Sequence, residues 1–208
     1  MDSDLTFITN EKGQNLKERF EILIKDTKFF DCLVGYFYTS GFHALYKSLE
    51  KTDKVRILIG ISTNKQTYDL LQKAKPVEQS ALQFSSAEAK EQLGVLVEKE
   101  MEEAEDSEKT EEGIYTFIDW IKSGELEIRA YPSEKIHSKV YIMTFGDSDR
   151  DKGRVITGSS NFTQAGLVDN LEFNVELKSR ADYDFALKKF NELWDDAVDV
   201  SQKYVETI

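Results

Sequence analysis

Cysteine is nearly absent from this 208-residue chain, which has only Cys32. No intrachain disulfide can form and no zinc cluster can be built from thiolates. Cys32 lies in the apolar run Phe29-Phe30-Asp31-Cys32-Leu33-Val34-Gly35-Tyr36-Phe37, which suits a reducing, cytoplasmic setting. Proline is also scarce, at two residues, leaving little room for extended linkers. The two histidines, His43 and His137, are far apart, and with no carboxylate cluster suited to a divalent cation, no metal and no cofactor are expected. The longest apolar runs are only strand-length, and Met1-Asp2-Ser3-Asp4-Leu5 has neither the basic nor the apolar region of an export signal. Membrane spanning and secretion are therefore not expected. Positive charge is in deficit, with 27 Lys and Arg against 39 Asp and Glu, a net of −12. Such a surface opposes nucleic-acid binding, because phosphate contacts are the main source of that affinity.

The deficit is uneven along the chain. Between Glu98 and Glu112, nine acidic residues face only Lys99 and Lys109, whereas between Arg129 and Arg154 the basic Arg129, Lys135, Lys139, Arg150, Lys152 and Arg154 outnumber the acids. The C-terminal third is locally basic, which keeps DNA in play as a partner. A hydrophobic content of 40%, with 13 Phe and 9 Tyr, is enough for one sizeable core. One domain over 1–208 is expected, with an acidic helical excursion at about 86–112 that reads as a solvated helix end.

Periodicity gives an α/β pattern. Asn15 caps a helix whose apolar residues Leu16, Phe20, Leu23 and Ile24 recur at helical spacing. Asp31–Phe37 and Val55–Ile61 are near-continuous apolar runs, as in parallel strands covered on both faces. A helix from Ser40 to about Lys51 separates them. Further helices are expected at 66–75, 86–107 and 112–123, the last stopped by Gly124. A strand at 126–131, a hairpin formed by 140–145 and 154–157, and a strand at 173–177 follow. A final helix is expected from Asp182 toward Tyr204. His43 falls on a helix and is read as structural; Tyr38, Thr39 and Ser40, at the end of a central strand, are weaker site candidates.

The chemistry concentrates in two segments, Ile136-His137-Ser138-Lys139-Val140-Tyr141 and Thr157-Gly158-Ser159-Ser160-Asn161-Phe162. A histidine and a lysine two apart on a strand point to one face, placing an imidazole beside a cation. The second segment ends a β-branched run in glycine and small polar residues, which brings hydroxyls, an amide and backbone N–H groups toward an anion. Together they describe a phosphate site containing a nucleophile. Each also has an ordinary role: His137 as a half-buried strand histidine, Ser159 and Asn161 as turn residues, Glu172 as a surface strand residue. The cost of burying Lys139 unpaired beside His137 favours the phosphate site.

His137-x-Lys139 with Gly158-Ser159-Ser160-Asn161, and Glu172 eleven residues past Asn161, resembles the signature of the phospholipase D superfamily, nuclease branch. One position departs from it: where H-x-K-x4-D places an aspartate, this chain has Thr144. The resemblance implies an α/β/α sandwich around a central mixed β-sheet, and metal-independent hydrolysis of a DNA phosphodiester through a phosphohistidine. His137 is then the nucleophile; Lys139, Ser159 and Asn161 hold phosphate oxygens; Glu172 orients a histidine, with Glu176 as the fallback. The chain carries one half-motif where the family's chemistry uses two, which implies a homodimer with a shared site. The stretches Phe7–Asn10 and Val34–Phe42 also resemble the N-terminal phospholipase D-like domain of SWI/SNF-type superfamily 2 helicases. No G-x-x-x-x-G-K-[ST] motif is present, so under this resemblance the chain is a fragment of a longer protein with an attached helicase or ATPase domain. The alternative is a non-catalytic module that grips a phosphate, binds DNA or dimerises. A phospholipid-cleaving enzyme ranks third, since no basic amphipathic face and no second motif is seen.

Overall fold

The computed structural model describes residues 6–35, 37–60, 108–131, 136–147, 151–202 and 205. The helices expected at 66–75 and 86–107, and most of the acidic excursion, lie outside them. Eight strands form one mixed sheet: β1 (Phe7–Ile8), β2 (Thr27–Val34), β3 (Lys54–Gly60), β4 (Leu126–Tyr131), β5 (Val140–Phe145), β6 (Gly153–Gly158), β7 (Asn174–Leu177) and β8 (Val198–Asp199). Their order across the sheet is β1-β7-β6-β5-β2-β3-β4-β8. The β2, β3 and β4 ladders are parallel, while β5 runs antiparallel to β2 and continues antiparallel through β6 and β7 to β1. This is the expected mixed sheet.

Helices α1 (Leu16–Leu23), α2 (Thr39–Leu49) and α3 (Glu108–Ser123) cover one face, and α4 (Arg180–Asp195) covers the other. The α1 start forms because the Asn15 side chain accepts the Glu18 N–H at 3.1 Å, satisfying an otherwise unpaired donor. Leu16, Phe20 and Leu23 then fall on one buried stripe. Phe20, Phe30, Phe42, Phe117, Tyr141 and Phe162 are fully buried in the larger core and pack mostly edge-on or tilted, as ring quadrupoles prefer. Truncating one such ring costs about 3–5 kcal/mol. Under α4 a second cluster gathers Leu33, Leu58, Ile142, Val155, Tyr183, Phe190 and Trp194.

Asp31 is buried in the middle of β2, where it accepts two bonds from Arg56 of β3 at 2.6 and 2.8 Å. Burial raises the Asp31 pKa, and Arg56 offsets part of that rise. The guanidinium also lies over Phe190 and Trp194, tying α4 to the sheet centre.

Three expectations change. The strand predicted to start at Asp31 begins at Thr27 and ends at Val34, because the exposed Lys28 and Phe29 lengthen it before the apolar run. His137 and Lys139 precede β5, which begins at Val140. The last helix stops at Asp195, and Val198–Asp199 pairs with β4 as an edge strand, so Val200 caps the core from a strand end.

Candidate active site

The candidate residues lie at the C-terminal edge of β2 and β3, where the 136–139 segment crosses on its way into β5. Glycine at the ends of β2 and β3 permits the crossing. A Cβ on Gly60 would stand 2.7 Å from the Ile136 carbonyl oxygen, closer than side chains tolerate. A Cβ on Gly35 would meet three groups at once: Ile136 O at 3.7 Å, Asn161 Oδ1 at 3.8 Å and Lys139 Nζ at 3.9 Å. The Lys139 ammonium and the Asn161 amide therefore converge over Gly35. They come from segments more than twenty residues apart in the chain.

Lys139 is anchored at its main chain, where its carbonyl accepts from Thr157 Oγ1 at 2.8 Å and from Gly158 N at 3.3 Å. Its ammonium donates to the His137 carbonyl at 2.9 Å. The His137 side chain is exposed at the same end of the sheet. Imidazole and cation are thus close along the chain, but the lysine holds the histidine's backbone rather than its ring.

Ser160 explains how the serine–asparagine loop is held. It is fully buried, and its polar groups are all engaged. Its N–H donates to Asn174 Oδ1 at 3.3 Å, its hydroxyl accepts from Asn174 Nδ2 at 2.9 Å, and its carbonyl accepts from the Tyr141 hydroxyl at 2.8 Å. With Ser160 fixed inward, the exposed Ser159 is left at the sheet edge beside Asn161. Asn174 and Tyr141 are positioning residues that sequence reasoning passed over. The available signal was a carboxamide and a phenol at buried strand positions, where unpaired polar groups are costly.

Glu172 is half-buried, its N–H donating to the Thr9 carbonyl at 3.3 Å. Its carboxylate accepts the Ser159 hydroxyl, and that same hydroxyl accepts the Phe173 N–H at 3.0 Å. Among the described hydrogen bonds none joins Glu172 to His137, so the expected orienting contact is replaced by one to Ser159. Glu176, the fallback, is buried beneath Arg19, which donates to it at 2.6 and 2.9 Å, with Arg154 at 3.4 Å. That carboxylate holds α1 to the sheet and does not reach the site.

Among the described residues of the 129–154 stretch, most of the basic side chains are paired with carboxylates. Arg129 pairs with Glu127, Lys152 with Asp147, and Arg154 with Asp151 and Glu176. Among the described residues of that stretch, Lys139 alone has no carboxylate partner. Of the weaker candidates, Thr39 is buried, and the Ser40 hydroxyl accepts from Gln164 N at 3.4 Å while Tyr38 stays 40% exposed. Cys32 is fully buried, and burial together with the Asp31 carboxylate pushes its thiol well up, keeping it a neutral core residue.

A cavity of about 310 Å³ lies under α4, lined by Leu33, Ser138, Val140, Ile142, Phe190 and Leu193 among others. It opens on the sheet face opposite the buried Tyr141 and is too apolar to be the phosphate site. Among the described residues no three His, Cys, Asp or Glu side chains gather as metal ligands would, and no helix is long and apolar enough to cross a membrane.

Residues 23–194 match the family described as cardiolipin synthase, PLD-like domain. Among solved structures the chain is similar to Nuc from Salmonella typhimurium, a phospholipase D family member. The two are 17% identical with a TM-score of 0.51, over 93% of this chain and 95% of that one. Phosphatidylserine synthase from Haemophilus influenzae Rd KW20 superposes with a TM-score of 0.53 at 15% identity, over 97% of this chain and 40% of that one. At these identities the likeness is one of fold. No curated protein matches the sequence.

Proposed function

This chain belongs to the phospholipase D-like family, and from that premise we propose that it is a metal-independent phosphodiesterase that cuts DNA through a phosphohistidine. The observation that carries the reading is the meeting of Lys139 Nζ and Asn161 Oδ1 over Gly35, with the same ammonium bonded to the His137 carbonyl. Lys139 supplies a cation, and the Asn161 carboxamide donates through Nδ2, for the non-bridging oxygens of one phosphate, where charge develops in the transition state.

In the proposed reaction a neutral His137 imidazole nitrogen attacks phosphorus, and the P–O ester bond breaks as the N–P bond forms. His137 of the partner subunit, protonated, gives its proton to the leaving oxygen. Water then attacks phosphorus and loses a proton to that same histidine, while the N–P bond breaks and frees His137. Glu172 and Ser159 form the pair that holds the far side of the loop. A homodimer supplies the second half-site, since a single H-x-K unit is present. We further propose one domain over 1–208, a cytoplasmic setting and, from the helicase resemblance, an attached helicase or ATPase domain in the full protein.

A second reading rests on one contact: Glu172 engages Ser159 and not His137, and an unoriented imidazole is a poorer nucleophile. On that reading the site grips a phosphate without cutting it. Incubation with single- and double-stranded DNA in excess chelator separates the two. Cleavage by the parent that is lost in His137→Ala supports the phosphodiesterase. Cleavage that needs added Mg²⁺ or Mn²⁺ overturns the mechanism, and phosphate-dependent binding without cleavage favours the second reading.

A further inference from the structure

The loop that holds Ser159 and Glu172 also carries large apolar side chains into solvent. Phe173 is 63% exposed and Leu171 70%, and Phe7 on the neighbouring β1 is 57% exposed. Phe7 faces Val175 in the β1–β7 ladder, so Phe173, two positions along, is its diagonal neighbour on the same sheet face. By the same alternation the buried Asn174 and Glu176 point the other way. Phe173 is fixed to the site through its main chain: Ser159 N donates to its carbonyl at 3.1 Å, and its own N–H donates to the Ser159 hydroxyl at 3.0 Å. An aromatic ring is thereby held one residue from Glu172, at the end of the sheet that carries Lys139 and Asn161.

Two properties decide what such a ring receives. The chain has a net charge of −12, and the described cations around the motif other than Lys139 are paired with carboxylates. Counterion release from a run of phosphates is therefore a weak source of affinity. Stacking of a base on an aromatic face draws on no charge and tolerates any sequence, but it needs a base whose face is open. A duplex buries those faces against neighbouring pairs. A phosphate grip of one lysine from each subunit, flanked by exposed rings, fits a single strand.

We propose that Phe173, with Phe7 beside it, is a stacking platform for the base adjoining the phosphate held by Lys139 and Asn161, so that this chain takes single-stranded DNA in preference to duplex. The inference rests on the phosphodiesterase reading for the position of that phosphate. It is tested by binding labelled oligothymidylate, and an abasic oligonucleotide of equal length, to the His137→Ala protein, to that protein carrying Phe173→Ala, and to that protein carrying Phe173→Trp. The bases should strengthen binding about tenfold over the abasic backbone. Phe173→Ala should erase the difference, while Phe173→Trp should keep it and show quenching of its added emission by thymidine but not by the abasic strand. Equal affinity for both oligonucleotides, or a loss in Phe173→Ala that is the same for both, overturns the platform. A dimer in sedimentation that Phe173→Ala dissociates, with no discrimination between oligonucleotides, overturns it in favour of a second copy covering the patch. Cleavage of DNA by the parent without base discrimination sinks this inference and leaves the phosphodiesterase reading standing. Base-dependent binding without cleavage by the parent does the reverse.

Discussion

His43 illustrates how one side chain sets a pH limit on stability. Its Nε2 is buried and, among the described residues, has no hydrogen-bond partner, while the ring packs against Gly113 of α3. Burial lowers its pKa to about 4 from the ordinary 6.5. Between those values the unfolded chain takes up a proton that the folded chain refuses. The stability from a neutral His43 is thus fully present above about pH 6.5 and is lost as pH falls toward 4. Melting temperature should fall more steeply from pH 7 to 4 in the parent than in His43→Gln; superimposable profiles would sink the assignment. Thr144 shows the opposite economy. At the position where the family pattern has aspartate, its hydroxyl shares a 2.8 Å hydrogen bond with Tyr183 of α4. A neutral pair joins β5 to the helix without the cost of burying a carboxylate.

At the scale of elements, the site depends on how closely the end of β6 approaches the start of β7. A Cβ on Gly158 would lie 2.2 Å from the Phe173 carbonyl oxygen and 2.5 Å from Asn174 Oδ1. Backbone and a fully buried carboxamide cannot both move aside, so Gly158→Ala must push the 159–161 loop off Asn174. Urea unfolding should show a loss of about 1–3 kcal/mol, the cost of overpacking a tight site. Phosphate affinity should fall with it, since the same shift displaces Asn161 from Lys139. A variant with parental stability and affinity would mean that the loop is held elsewhere. The helix side of the site is robust by comparison: Phe42, Phe162 and Leu167 are fully buried in the chain's own core.

For the whole molecule the open matter is completion of the site. One H-x-K unit supplies one nucleophile, and the proposed reaction needs a second histidine as acid, so activity should belong to a two-fold pair. When parent protein is mixed with an equal amount of His137→Ala under conditions that allow subunit exchange, about a quarter of all dimers in the mixture should be intact by random pairing, with activity expressed against an equal total of parent protein. Activity should follow that fraction. Activity that stays at half, together with a monomeric mass in sedimentation, would show that each chain works alone.

The sequence by itself was sufficient for the parts of this protein that rest on local pattern. The near-continuous apolar run from Val55 corresponds to β3 because burial on both faces demands continuous hydrophobicity, the alternating Leu126–Tyr131 corresponds to β4, and Asn15 and the positive-φ Gly124 bound helices through chemistry local to each residue. The spacing of His137, Lys139, Asn161 and Glu172 likewise pointed to one candidate site before any fold was known. The partners of those side chains were decided only by the tertiary structure. Glu172 and Glu176 are alike in sequence context, yet one meets Ser159 at a sheet edge and the other lies beneath Arg19 and Arg154 in the interior. Strand alternation gives both the same inward direction. What differs is the element packed over each position, and that is fixed by contacts with α1 and β6, far away in the chain.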